Sequence, residues 1–301
     1  MELSYKAYAK VNLGLDVLRR REDGYHDVKM IMQTVNLYDV LTASDTDIEG
    51  QIELTTNLSV VSDPKDNLIY KAAKMLMDEF NIKKGVKIHL EKNIPVAAGM
   101  AGGSTDAAAA MAAVNDLFDL KLSEDDLKAR GVKIGADVPY CIMGGTALSE
   151  GIGEVLTSID GMPQCYILIA KPPINVSTKF VYENLHANEL KYHPDIDGML
   201  SYIKESDLKG IASKMENVLE TVTVKEYPII EEIKTFMKEN GALNAIMSGS
   251  GPTVFGLYDD KDLAEKAYVG LVNKDITKQV YLTDLVLEGN EYGKKEPGAS
   301  I

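Results

Sequence analysis

Residues 95–105 read Pro95-Val96-Ala97-Ala98-Gly99-Met100-Ala101-Gly102-Gly103-Ser104-Thr105, with three glycines inside five residues and a hydroxyl pair behind them. Glycines let a backbone approach a phosphate closely, and the unpaired N–H groups of a following helix point at it with the positive end of the dipole. The stretch therefore reads as an anion site. It is not a Walker loop, because no lysine lies between Lys92 and Lys121, and its G-x-x-G-G order departs from the dinucleotide fingerprint. Taken locally, it is also compatible with a plain glycine turn capped by Ser104.

Three further groups could act beside such a site. Lys10 and Asn12 alternate with Val11 and Leu13, and Asp137 stands in Gly-Ala-Asp-Val-Pro. A lysine on a polar strand face is ordinarily an edge charge, and an aspartate in a turn ordinarily bonds its own backbone. Brought together near the glycine loop, they would suit phosphoryl transfer. The carboxylate would take a hydroxyl proton, and the ammonium would stabilise the developing charge. Ser248-Gly249-Ser250-Gly251-Pro252-Thr253 is a turn that could close a pocket with Ser104. Asp23-Gly24-Tyr25-His26 offers an aromatic and an imidazole after a tight turn.

The elements that must position these groups follow from periodicity. Val11, Leu13, Leu15 and Val17 predict a strand with one apolar face, and 28–41 predict a second strand region. Residues 67–80 predict a helix with Ile69, Ala73, Leu76 and Phe80 on one stripe. Val86, Ile88 and Leu90 alternate as a strand, and Met111, Val114 and Phe118 space a helix that starts near Ser104. A short helix over 126–133 and a strand over 140–150, turning at Gly144-Gly145, come next. Beyond a boundary at 160–163, a strand over 166–170 precedes a helical stripe of Leu208, Ile211, Met215, Leu219 and Val222. Pro228 opens a helix that Gly241 closes. Strands at 245–247 and 253–258, a helix from Leu263 and a strand near Val280 complete an α+β chain. The expected domains are 1–160 and 161–288, with a frayed polar tail over 289–301.

At 301 residues, 45% hydrophobic and 26% charged, the chain can bury a real core. A net charge of −14 and a pI near 4.8 speak against nucleic acid or an anionic membrane as partner. Cys141 and Cys165 sit in apolar runs and read as reduced core thiols of a cytoplasmic protein. No run reaches the length of a membrane helix, and MELSYKAYAK lacks a signal-peptide core.

In this order the motifs resemble the GHMP kinase superfamily. Pro95 to Thr105 is similar to its central phosphate motif, and 248–255 to its C-terminal glycine motif. Ala9-Lys10-Val11-Asn12-Leu13, Asp23 to His26 and Gly135 to Pro139 resemble the branch whose substrate is a cytidine diphosphate-linked methylerythritol. The likeness runs from about Lys6 to Leu257. Met100-Ala101 stand where Leu-Gly is commoner, and Thr105 replaces a second serine.

The resemblance implies an N-terminal domain like the ribosomal S5 second domain, a ferredoxin-like C-terminal domain, and a cleft site between them. The implied reaction is ATP-dependent phosphorylation of the substrate's 2-hydroxyl in non-mevalonate isoprenoid synthesis, with Mg2+ offsetting triphosphate charge. Asp137 would be the base, Lys10 its partner, and Pro95 to Thr105 the phosphate clamp, with Thr105 also a possible metal ligand. Asn67 would lie on the adenine side or serve only as a helix cap. Asn12, Tyr25, His26 and Tyr182 would hold the cytidyl substrate, with Phe180 the alternative to Tyr182. Metal ligands and oligomeric state are not readable. The rival readings are another GHMP small-molecule activity, such as a homoserine kinase, and a non-catalytic ligand sensor.

Overall fold

The computed structural model of the chain describes residues 1–58, 66–290 and 292. Two long strands begin it, β1 (Glu2–Arg20) and β2 (His26–Thr46), antiparallel across the Arg21–Tyr25 turn. β1 does not have the single apolar face expected. Register shifts at Tyr8/Lys10 and Asn12/Gly14 insert extra residues, and each such bulge reverses the side to which later residues point. Ala9, Val11 and Leu13 therefore join one core cluster, while Ala7, Leu15 and Val17 join another.

β3 (Ile52–Thr56), α1 (Leu68–Glu79), β4 (Gly85–Glu91) and α2 (Gly102–Leu117) follow. Ile69, Ala73 and Leu76 are buried as expected, but Phe80 lies beyond the last helical turn, partly exposed beneath the Arg130 guanidinium. α2 is alanine-rich on nearly every face because it is the central helix, packed against α1, the β1–β2 hairpin and the segments after it. α3 (Glu124–Gly131) carries a Ser123–Asp126 capping box.

The expected strand over 140–150 begins instead as a helix, α4 (Val138–Met143). Every residue from Val138 to Ile142 is buried, so no period marks the run as helical, and Pro139 sits in its first turn where a missing N–H costs little. Gly144 and Gly145, at φ +69° and +72°, then turn the chain into β5 (Thr146–Gly151) and β6 (Val155–Ser158). The strand order is β3-β4-β2-β5-β6, with β1 paired to β2.

After β7 (Tyr166–Lys171) come α5 (Thr178–Asn184), α6 (Ile196–Lys204), α7 (Leu208–Ser213) and α8 (Glu220–Glu226). The apolar stripe expected over 208–222 is thus two helices. Between them Asn217 bridges to Leu15 of β1, and its amide donates to the carbonyls of Met247 and Gly249. α9 (Ile229–Glu239), β8 (Asn244–Met247), β9 (Val254–Tyr258), α10 (Lys261–Asn273) and β10 (Gln279–Asp284) complete a second antiparallel sheet of order β10-β7-β9-β8. The chain then returns to the first sheet. Val286 N–H donates to Thr34 O, the Asn290 amide donates to Cys141 O, and the Tyr292 hydroxyl donates to Lys6 O. The tail expected to fray is packed at Asn290 and Tyr292, because both bury polar groups that find backbone partners. Residues 291 and 293–301 lie outside those described. Among the described residues no helix is long and apolar enough to cross a membrane.

Candidate active site

The outer edge of β1 is where the site is assembled. β1 pairs with β2 along one side only, so its other backbone edge needs partners. Lys10 N–H donates to Met100 O of the glycine loop at 3.2 Å. Leu15 exchanges bonds with the second half of the chain, to Glu216 O and from Val218 N–H. One strand edge therefore sets the glycine loop beside the C-terminal unit.

The loop reaches helix α2 through Ala97, Gly99 and Ala101, all in the left-handed region. Ala101, at φ +58°, is the residue before the first helical turn, which explains why glycine suits that position in the resembling motif. The helix starts two residues earlier than Ser104. Ser104 is therefore inside the first turn, and no side chain caps the helix. The first helical bond runs from Thr105 N–H to Ala101 O, so the N–H groups of Gly102, Gly103 and Ser104 have no intrahelical partner. Thr105 falls on the core side, fully buried and away from the cavity, because of that earlier start.

A cavity of about 1200 Å³ opens at this helix end. Lys10, Asn12, Tyr25, His26, Asn67, Asp137, Tyr182 and the loop from Pro95 to Ser104 line it, whereas Thr105 does not. Lys10 is 5% exposed, buried rather than an edge charge. Its Nζ donates to Asn12 Oδ1 at 2.8 Å and lies 3.8 Å from Asp137 Oδ2. Asp137 precedes α4 without capping it, which leaves its carboxylate available to the cavity. Asn67 does cap α1, accepting from Ile69 N–H at 2.8 Å, and also lines the cavity. The adjoining Leu68 packs at the start of α2, 3.6 Å from where a Cβ on Gly103 would stand.

Elsewhere in the cavity Tyr25 is exposed and His26 buried, and the His26 and Tyr182 rings sit 5.1 Å apart, tilted by 42°. Burial, with the Arg20 guanidinium adding to it, holds the His26 imidazole below its ordinary pKa, and its Nε2 has no partner among the described residues. Phe180 is partly exposed and does not line the cavity. Ser248 contacts the glycine loop at Gly99 rather than at Ser104, donating from Oγ to the carbonyl at 2.9 Å.

Sequence reasoning passed over a buried charge cluster beneath the loop. Lys92 bonds Asp39, and also Asp106 at 2.8 Å, while Asp39 accepts from the Asn93 and Ile94 N–H groups. Burial raises the Asp106 pKa, Lys92 opposing and the Asp39 carboxylate reinforcing the rise. The one local signal was Lys92 itself, three residues before Pro95. Among the described residues no three His, Cys, Asp or Glu side chains cluster as a metal site. The cavity does offer the Ser104 hydroxyl and the Asp106 carboxyl, whose Oδ1 is buried without a hydrogen-bond partner among the described residues. That donor set fits Mg2+, which takes one or two carboxylates and leaves the rest to phosphate and water.

An uncapped helix end over a glycine loop, facing a Lys–Asp pair, is the site of a small-molecule phosphotransferase. The descriptions "GHMP kinases N terminal domain" and "GHMP kinases C terminal" match residues 67–145 and 199–275. A 4-diphosphocytidyl-2-C-methyl-D-erythritol kinase of Lachnoclostridium phytofermentans is 54% identical over 281 residues, covering 93% of this chain and 96% of its own. One of Clostridium perfringens is 48% identical, covering 96% of this chain and all of its own. A crystal structure of 4-(cytidine 5'-diphospho)-2C-methyl-D-erythritol kinase superposes with a TM-score of 0.80 at 29% identity, covering 94% of this chain and 99% of that one. The chain belongs to the GHMP kinases, and within them to the 4-diphosphocytidyl-2-C-methyl-D-erythritol kinase family.

Proposed function

We propose that this chain transfers the γ-phosphoryl group of ATP to the 2-hydroxyl of 4-diphosphocytidyl-2-C-methyl-D-erythritol. The observation that carries the reading is the buried Lys10 facing the cavity-lining Asp137 in the same cavity as the open start of α2. The Gly102, Gly103 and Ser104 N–H groups hold the nucleotide phosphates. Asp137 accepts the hydroxyl proton as the oxygen attacks. Lys10, fixed by Asn12, stabilises negative charge on the transferring group. Ser104 and Asp106 would hold Mg2+, which would supply charge neutralisation at the triphosphate. Asn67 and Leu68 place the adenine side at the start of α1.

The cytidyl end is assigned to Tyr25, His26 and Tyr182, where a flat base meets aromatic faces and the unpartnered Nε2 of His26. Turnover of ATP against a panel of alcohols tests the reading. Phosphorylation of the cytidyl substrate well above homoserine or mevalonate is the expected result, and preference for either of those would overturn it.

A further inference from the structure

Helix α5 carries Tyr182 but has little to hold it in place. It is seven residues long, and Val181 is its one buried residue. Its N-cap is Ser177, whose hydroxyl accepts from Phe180 N–H. The next hydroxyl, that of Thr178, is therefore free of capping duty. It reaches across the cavity wall to the Ser250 hydroxyl at 2.8 Å.

The two partners differ in stiffness. Ser250 belongs to the turn between β8 and β9, which is fastened from three sides. The Asn217 amide donates to Gly249 O, the Thr223 hydroxyl donates to Ser250 O, and Gly251 N–H closes the turn on Ser248 O. Where a weakly buried helix meets a rigid turn through one hydrogen bond, the bond sets the position of the helix.

We propose that the Thr178–Ser250 hydroxyl pair positions the aromatic wall formed by Tyr182 and His26 and so governs capture of the cytidyl substrate. Both are positioning residues, acting through Tyr182 rather than on the reacting atoms. The inference rests on the assignment of this end of the cavity to the cytidyl group. The hydrogen bond from this turn to the glycine loop comes from Ser248, not Ser250, so the effect is expected on one ligand and not on the nucleotide.

The test compares wild type with Thr178→Val, Thr178→Ser, Ser250→Ala and the Thr178→Val/Ser250→Ala double variant, in steady state with ATP and the cytidyl substrate. Thr178→Val and Ser250→Ala are expected to raise KM for the cytidyl substrate about three- to tenfold, the worth of one hydrogen bond. KM for ATP and kcat stay within about twofold. Thr178→Ser keeps the hydroxyl and restores wild-type KM, and the double variant is no worse than either single one. An unchanged cytidyl KM, additive losses that mark separate direct contacts, or an equal rise in KM for ATP would each overturn the inference. A wild-type protein without turnover of this substrate would instead overturn the functional reading and this inference with it, and it would show before any variant was compared.

Discussion

Ser248 and Gly99 are in direct contact across the cleft. The Ser248 hydroxyl donates to the Gly99 carbonyl, and a side chain on Gly99 would run into the Ser248 carbonyl oxygen. Gly99 also sits at φ +72°, where a Cβ costs about 1–2 kcal/mol before any clash. Gly99→Ala is therefore expected to part the two glycine turns, lowering the urea midpoint and weakening ATP on the order of tenfold by calorimetry. Gly102 has no such constraint on φ. A side chain there meets Lys92 Nζ at 2.9 Å, so Gly102→Val acts by displacing that ammonium and by blocking the phosphates, with cytidyl affinity retained.

Ala101 offers the opposite experiment. It holds a left-handed conformation that glycine adopts without penalty. Ala101→Gly is expected to raise stability by about 0.5–1 kcal/mol with kcat unchanged, read from urea melts and steady-state rates. A loss of stability would mean that its methyl packing outweighs the backbone strain.

Removing the base should cost far more than removing a contact. Asp137→Asn is expected to lower kcat by roughly two to four orders of magnitude while ATP binding and the melting temperature persist. Lys10→Met should likewise affect turnover more than stability. Activity within about twofold of wild type in both would remove the pair from the mechanism.

The cytidyl wall makes a separate prediction. Each base-stacking contact is worth about 1–3 kcal/mol, so Tyr25→Ala and Tyr182→Ala should each raise KM for the cytidyl substrate on the order of tenfold and leave that for ATP unchanged. If the two rings hold one base between them, the double variant is less than additive. Unchanged values in both would reopen the choice of substrate.

His26 links the same wall to pH. Its pKa is lowered in the fold, so between that value and the ordinary 6.5 the unfolded chain binds more protons than the native one. Stability is then complete above about 6.5 and falls as pH drops through the window below it. Urea midpoints from pH 7.5 to 5 should show this decline, and His26→Gln should flatten it. A decline of equal slope in the variant would assign it to other groups.

The parts of this fold legible in the sequence were those with a one-sided period. α1 announced itself through Ile69, Ala73 and Leu76, and β4 through the alternation from Val86 to Leu90. α4 did not, because burial on all sides erases the period that separates helix from strand. The stripe from Leu208 to Val222 misled for the converse reason. Helical spacing of apolar residues continues through a link whose path is dictated by tertiary bonds of Asn217. At the site, the motifs carrying Lys10 and Asp137 were readable one by one, while their approach to 3.8 Å depends on packing that no single motif encodes. The Asp39–Lys92–Asp106 cluster was not, since its three charges meet only through the packing of β2, the loop and α2.

The return of residues 285–290 and of Tyr292 to the first half of the chain has a consequence for biosynthesis. The Thr34 carbonyl, the Cys141 carbonyl and the Lys6 carbonyl receive their partners from Val286, Asn290 and Tyr292, which are made after every strand of the second sheet. The half of the chain that leaves the ribosome first is thus the half completed last, and a nascent chain stopped at Asp284 would carry a finished second sheet beside an unclosed first one.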